Sequence, residues 1–433
     1  MRTVGLYTLG CKVSQYETEA IAESFEALGF TVLPFSERCD AYVINTCTVT
    51  RESDRKCRQV IRRAIAENSN AVVAVLGCYS QRAPGEISSI AGVDIVLGTE
   101  GKMRTAELVL SALTGGGELP FCSVGDLAGA KFEPMTVKRA QRTRAYVKIE
   151  DGCECRCSYC AIAAARGPVR SKPKDEVIRE VEALSALGTH EIVLTGIETG
   201  SYGRDLGGEY DLGDLILELD RRHSCKRIRL GSMAPELVGA AFAEKVSRTE
   251  IFAPHLHMSL QSGSTRILGA MRRRYTRALA VENMLRLREM IPEIQFTSDL
   301  MVGFPGESDE DFAETESLLR EMKLLGAHVF AYSKREGTPA ANYPLQVPES
   351  VKRERSRALI KASVEVRRDI LAGLLSEGGA HSVILEDFED GCYNAHSASF
   401  VPFRVKAEEG RQGEAVTVVP VSNTDDFLVG KII

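Results

Sequence analysis

The sequence predicts an α/β protein in three parts: an N-terminal doubly wound parallel sheet, a central partial (β/α)6 barrel and a small C-terminal all-β barrel. Three observations predict it. Apolar strands alternate with helical patterns along the first 113 residues, and a second alternating series follows from about residue 139. The last 63 residues, 371–433, carry short β-rich pieces and no convincing helix beyond their start. Strands alternating with helices build parallel sheets covered on both faces, whereas short strands in series close into sandwiches or barrels.

In the first part, strands read at Thr3–Leu9, Ala41–Asn45 and Ala71–Leu76, with another near Val93–Leu97. Helices read at Gln15–Leu28, Glu52–Glu67 and Thr105–Leu113. Residues 114–138 open on Gly115-Gly116-Gly117, show few strong periods and read as a linker. The core, 139–370, carries six strands: Ala145–Glu150, Glu191–Leu194, Arg227–Leu230, His255–Ser259, Gln295–Val302 and Ala327–Tyr332. Helices such as Asp175–Leu187, Ala278–Met290 and Asp309–Leu325 separate them. Six such units suggest a partial barrel with its functional residues at the carboxyl ends of the strands. A charged amphipathic helix runs from about Pro348 to Ser376, and β pieces follow at Ser382–Asp387, Phe400–Val405, Ala415–Val421 and Phe427–Ile432.

The chain of 433 residues has an ordinary globular composition, 44% hydrophobic and 26% charged. No apolar run approaches the roughly 18 residues of a membrane helix, and MRTVGLYTLGCK lacks the pattern of a signal peptide. A cytoplasmic protein without a membrane partner is therefore expected. In a reducing compartment twelve cysteines suggest metal ligands or redox chemistry rather than disulfides. A net charge of −6 excludes a chain coated in positive charge but not a local phosphate-binding patch.

Residues 151–160 read DGCECRCSYC. Cys153, Cys157 and Cys160 form C-x-x-x-C-x-x-C directly after a predicted strand, so one loop can wrap a cluster. Three thiolates on a four-iron cluster leave one iron open to the amino and carboxylate groups of S-adenosylmethionine (SAM). Zinc is the competing reading, but the triplet lacks a fourth close ligand. Cys155 falls outside the spacing. Other strand ends offer candidate SAM contacts. Gly196 ends the second strand, Ser259 and Gln261 the fourth, and Gly303 and Gly306 the fifth; an ordinary βα turn accounts for each equally well.

A second trio is dispersed. Cys11, Cys47 and Cys78 each follow a predicted strand of the first sheet, at the edge where open α/β sheets place ligands. They can converge on a second cluster with a free iron, or stand as three buried cysteines. Cys39, Cys57, Cys122, Cys225 and Cys392 show no ligand spacing.

These features resemble the radical-SAM methylthiotransferases. The cysteine loop with Ala165–Gly167 and RSKP at Arg170–Pro173 carries the resemblance. So do LTGIETGSYGRDL, HLHMSLQSGS and DLMVGFPGESDEDF in the core, and TLGCKVSQYETE, INTCTVT and LGCYSQ in the first part. It covers nearly the whole chain. Two departures from the family pattern are Ser14 and the pair Ala163-Ala164. The resemblance implies two [4Fe-4S] clusters, SAM as cofactor, a TRAM-like C-terminal barrel and a reaction using two SAM molecules. One SAM methylates sulfur at the Cys11/Cys47/Cys78 site. The other is cleaved at the Cys153/Cys157/Cys160 site to a radical that takes hydrogen from the substrate carbon. It also implies a tRNA anticodon stem-loop as partner and a reducing protein such as a flavodoxin or ferredoxin. TLGCKVSQYETE, TGIETGSYGRDL and HVFAYSKREGTPAA are most similar to the branch acting on carbon 2 of threonylcarbamoyladenosine. Branches acting on isopentenyladenosine or a ribosomal-protein aspartate are the alternative. Basic density in KRAQRTRAYVK, MRRRYTR, KREGT and VKRERSR reads as a phosphate track or as solvated faces.

Overall fold

The computed structural model describes residues 2–140, 142–207 and 210–433. Its first sheet has six strands, all parallel, in the order Thr31–Leu33, Thr3–Thr8, Ala41–Thr46, Val72–Gly77, Ile95–Leu97, Phe121–Ser123. The two central strands are buried throughout, as the continuous apolar runs AYVINT and VVAVLG require of a sheet covered on both faces. Lys12–Ala27 and Thr105–Leu113 cover one face through Ile21, Phe25, Ala106 and Val109. Arg51–Glu67 covers the other through Cys57, Ile61 and Ala64. Thr50 starts that helix by accepting from Ser53 N at 3.0 Å, and Glu52 and Asp54 occupy the first turn, where the helix dipole favours acid.

Two edge strands escape the sequence pattern. Thr31–Leu33 and Phe121–Ser123 have three residues each, too few to show a period. Phe121–Ser123 lies inside the stretch 114–138 read as a linker, which thus completes the sheet rather than merely leaving it.

The central strands Ala145–Lys148, Ile192–Thr195, Ile228–Leu230, His255–Gln261, Gln295–Val302 and Gly326–Ala331 stand in sequence order, every pairing parallel. The third position breaks at Gly231 and resumes as Ser232–Met233, which pairs with the fourth strand. Along each strand alternate residues join the outer core. Val147, Leu194, Leu230, Met258 and Leu300 face the surrounding helices, so Tyr146, Arg229, His257 and Asp299 face inward. The first and last strands do not pair, which leaves the barrel open along one side. Lys12–Ala27 of the first domain packs against Ala145–Lys148 at that opening. The helix expected at Asp309–Leu325 ends at Glu321, and Leu324 and Leu325 turn into the cores instead.

Helix Glu349–Glu377, about 43 Å long at 1.5 Å per residue, leads to a closed barrel of five strands. Their order is His381–Glu389, Cys392–Ser397, Pro402–Lys406, Leu428–Ile432, Ala415–Asn423. Cys392–Ser397 is the strand missing from the sequence reading; its inward residues are Tyr393, Ala395 and Ser397, and two of the three are small. Phe400, at φ +68°, stacks with both His255 and His396, each ring centroid 4.6 Å from its own. His255 begins the fourth strand, so this contact closes the amino end of the central barrel. No helix among the described residues is long and apolar enough to cross a membrane.

Leu371 is fully buried and ties the long helix to the core of the small barrel. Leu371→Ala is expected to cost about 2–5 kcal/mol in denaturant unfolding. It should also expose the Gly378-Gly379 junction to protease earlier than any part of the central barrel.

Candidate functional site

The loop Cys153–Cys160 leaves the short strand Glu150–Asp151 and enters the helix Ile162–Arg166. It is held tightly. Cys153 N donates to Gly167 O at 3.0 Å and Cys160 N to Cys157 O at 3.1 Å. Gly152 sits at φ +94°, where an added Cβ would lie 1.9 Å from Pro168 O, so no other residue fits there. Arg273 reaches the loop: Nη1 donates to Cys157 Sγ at 3.4 Å and Nη2 to Ser259 O at 3.0 Å. Burial pushes the Cys160 thiol up to about 11 and raises Cys157 as well. Cys155 stands beside Cys153, and the two thiols share one interaction that raises Cys153 and lowers Cys155.

Two carboxyls back this loop. Glu150 Oε2 accepts from Glu198 N at 2.9 Å, and Glu198 Oε1 from Ala234 N at 3.1 Å. Neither has a cationic partner among the described residues. Burial holds Glu150 well above the carboxylate range, and burial with nearby Cys155 lifts Glu198 to about 8. Glu150 Oε1 is buried without a hydrogen bond among the described residues. Two buried acids without an ion pair fit the N–H donors of a SAM amino group.

The other candidates from the sequence differ in setting. Gly196 lies at this spot, and its absent Cβ would come within 2.5 Å of Glu150 Oε2. Ser259 and Gln261 are on the inner face of the fourth strand, toward the interior of the central barrel (the chamber), Gln261 at φ +59°. At Gly303 the space of a side chain is filled by the stem of Lys352, 2.3 Å from the Cβ position, so helix packing already requires this glycine. Gly306 has nothing within 4 Å of that position and stays open.

Cys11, Cys47 and Cys78 stand at the carboxyl ends of Thr3–Thr8, Ala41–Thr46 and Val72–Gly77, three adjacent strands. The chain reverses its direction of strand addition between the first two, the place where such sheets bind ligands. Gly77, at φ +105°, allows the turn: a Cβ there would meet Asn45 Oδ1 and Thr46 O at 2.6 Å. Ser14 Oγ lies 3.9 Å from Cys11 Sγ. Burial, then the neighbouring Cys78, lifts Cys47 to about 11. Cys57 donates to Cys47 O at 3.4 Å and is no ligand. Among the described residues no three Cys, His, Asp or Glu side chains converge as ligands of a single ion would; ligands of a multi-iron cluster each take a different iron.

Arg166 joins the two trios. It ends the helix that contains Ala163-Ala164 and is fully buried. Its Nε donates to Cys78 Sγ at 3.1 Å, and its Nη1 to Glu17 Oε1 at 2.6 Å and Asp151 Oδ2 at 3.1 Å. Lys148 Nζ bonds Glu17 at 2.8 Å and Asp151 at 2.6 Å, Lys102 Nζ lies 2.5 Å from Glu17, and Arg170 lies 3.4 Å from Asp151. Burial alone would raise Glu17, but Arg166, Lys102 and Lys148 outweigh it and hold the carboxyl well below its usual range. Four buried cations thus face two carboxylates beside Cys78. That surplus fits the negative charge of thiolates on a cluster.

Much of the basic sequence is structural. Arg335 is 3% exposed and clamps the first domain, donating to Asp54 Oδ2 at 2.8 Å and Thr48 O at 2.9 Å, next to Cys47. Lys352 and Arg355 are buried against Tyr332 O and Glu307. Arg139 pairs with Glu26 and Arg144 with Glu191 and Glu386. Arg272 and Lys334 are exposed and form no ion pair among the described residues. Sequence reasoning missed Glu150, Glu198, Arg166 and Arg273. Only Glu198, in the strand-end segment TGIE, carried a positional signal.

Comparisons with known proteins agree with this geometry. Residues 147–319 match the Radical SAM superfamily, and residues 3–98 match the uncharacterized protein family UPF0004. The threonylcarbamoyladenosine tRNA methylthiotransferase MtaB of Bacillus subtilis is 43% identical over 85% of this chain and 82% of its own. Its namesake in Thermotoga maritima is 36% identical over 84% of this chain and 83% of its own. A tRNA-2-methylthio-N(6)-dimethylallyladenosine synthase of Pelotomaculum thermopropionicum is 35% identical over 83% of this chain and 82% of its own. Among solved structures, the radical SAM methyltransferase TsrM of Kitasatospora setae, with cobalamin and a [4Fe-4S] cluster bound, shares the fold. It has a TM-score of 0.59 and 18% identity over 78% of this chain and 77% of its own. The chain belongs to the radical-SAM methylthiotransferases that modify tRNA, enzymes working with SAM and iron–sulfur clusters.

Proposed function

We infer that this enzyme places a methylthio group on carbon 2 of threonylcarbamoyladenosine beside the anticodon of tRNA. The observation that carries the reading is Arg166, which follows the Cys153–Cys160 loop and donates to Cys78 Sγ and Glu17 of the first domain. In this reading Cys153, Cys157 and Cys160 hold one [4Fe-4S] cluster and Cys11, Cys47 and Cys78 the other. When bound, the first cluster with SAM supplies the radical that opens the carbon–hydrogen bond, and the second supplies sulfur. Glu198 and Glu150 accept from the SAM amino group beside Gly196, and Ser259 and Gln261 line the wall across from them. Arg273 and Arg166 each donate to one cysteine sulfur, which favours the thiolate form. The exposed Arg272 and Lys334 suit the RNA backbone. A flavodoxin- or ferredoxin-type reductant and a cytoplasmic location complete the reading. The inward faces carry Arg229, His257, Asp299 and His328, a polar lining suited to a threonylcarbamoyl group and poorly suited to an isopentenyl one.

The test is nucleoside mass spectrometry on an anticodon stem-loop bearing threonylcarbamoyladenosine after incubation with loaded enzyme, SAM and reductant. The methylthio nucleoside is expected. Cys157→Ala should form no 5′-deoxyadenosine from SAM. Cys47→Ala should still form it without methylthiolating the RNA; methylthiolated RNA from Cys47→Ala would refute the sulfur-side assignment.

SAM binding should also depend on pH. Burial holds Glu198 protonated up to about pH 8, so below that pH it must lose a proton to accept the N–H groups of the SAM amine. The Kd for SAM should weaken as pH falls below 8, by up to about tenfold per unit, and level off above it. Calorimetry at pH 7 should detect proton release, and Glu198→Gln should release fewer protons and give a shallower profile, the remainder coming from the SAM amino group.

A further inference from the structure

The last strand of the central barrel leaves an aromatic ring open on its inner face. Gly326–Ala331 pairs with Gln295–Val302 on one edge and with no strand on the other, so it borders the open side of the barrel. Helix Glu349–Glu377 packs on its outer face, where Ala327 and Val329 join the core. The alternation of the strand then turns His328 and Phe330 inward. Both are exposed, Phe330 by 49%. Inward positions of barrel strands are ordinarily filled by stacked layers of bulky side chains. At this border the layers are left unfilled.

The surroundings of Phe330 give that space a direction. The residue lies next to the carboxyl end of its strand, the end of the barrel that carries the cysteine loop. The segment leaving the strand bonds both cysteine sites. Arg335 Nη2 donates to Thr48 O at 2.9 Å, next to Cys47, and Ala340 N donates to Ser158 O at 2.8 Å, between Cys157 and Cys160. On the inner face Met301 stands beside Phe330, and Asp299 stands beside His328 one layer toward the amino end. His257 Nε2 lies 3.2 Å from Asp299 Oδ1, and the rings of His257 and His328 are 5.6 Å apart. The half-exposed ring thus has a polar layer on one side and the strand exit toward both cysteine sites on the other.

Single exposed apolar side chains are common on a convex surface. This one is on a concave face at the border of an opening. An enzyme that does chemistry on a base takes it out of the stack, and an aromatic side chain offers the replacement surface. We propose that Phe330 is the platform on which the target adenine stacks once it has entered through the open side of the barrel. The polar layer of His257, Asp299 and His328 then meets the N6 substituent. This rests on the substrate reading above and adds the residue that seats the base.

The test measures binding of cluster-loaded enzyme to two anticodon stem-loops by fluorescence anisotropy. One carries threonylcarbamoyladenosine at the target position and the other an abasic residue there. The parent should bind the first about 5–100-fold more tightly, the range expected for one base stacked on an aromatic ring. Phe330→Leu keeps an apolar side chain without the ring. It should bring the ratio close to one through weaker binding of the base-bearing RNA alone, and Phe330→Tyr should preserve the parent's ratio. Equal affinity of the parent for the two RNAs overturns the proposal. So does a Phe330→Leu enzyme that keeps the parent's ratio, or one that weakens on both RNAs alike, which marks a structural role. A ratio lost in Phe330→Tyr as well overturns stacking as its cause. A parent that prefers the base-bearing RNA yet leaves no methylthio group on it refutes the proposed function and not this site.

Discussion

Glu17 is the anion around which the molecule is assembled. A fully buried carboxylate is expensive, and removing one partner of such a group typically costs 3–5 kcal/mol. Here its partners come from three places: Lys102 from the first domain, Lys148 from the first barrel strand, and Arg166 from the helix after the cysteine loop. None can leave without exposing the others to an unbalanced charge. The two domains are thereby held in one arrangement by electrostatics as well as packing. A second buried set repeats the device: Tyr16 donates to Met135 O at 2.8 Å and Glu180 at 2.9 Å, and Lys172 to Met135 O at 2.8 Å.

This fixed arrangement gives the chamber its form. The barrel is open along one side, and a helix that begins at Cys11 packs at the opening. One cysteine trio sits at the carboxyl ends of the barrel strands and the other at the carboxyl ends of a separate sheet. Arg335 and Arg82 add a second clamp, bonding Thr48 and Glu336 O beside Cys47. Phe400 of the small barrel closes the amino end, so the C-terminal domain is also part of the chamber wall.

Much of this was legible in the sequence, and the limits have physical causes. The C-x-x-x-C-x-x-C loop is local, so spacing alone reveals it. Cys11, Cys47 and Cys78 are distant in sequence, but each follows an apolar strand, and a parallel sheet aligns such ends without further information. Arg166, Arg273 and Glu150 were not visible because their partners lie on other elements and no spacing encodes them. Basic runs misled for the same reason: Arg335, Lys352 and Arg355 look like surface charge in the sequence and are buried in ion pairs. Gly303 suggested room for a ligand, yet Lys352 occupies that room. The three-residue edge strands and the small-residue strand Cys392–Ser397 lacked the alternation that marks the others.

The central claim is that one buried charge network both joins the two halves and balances the charge at Cys78. The most direct measurement is the iron content and electron paramagnetic resonance spectrum of loaded Arg166→Gln beside the parent. A shifted or missing signal from the Cys78-side cluster is predicted, with iron falling toward about half if that cluster is lost. The Cys153-side signal and 5′-deoxyadenosine formation from SAM should remain. Iron content and both signals identical to the parent's would contradict the account.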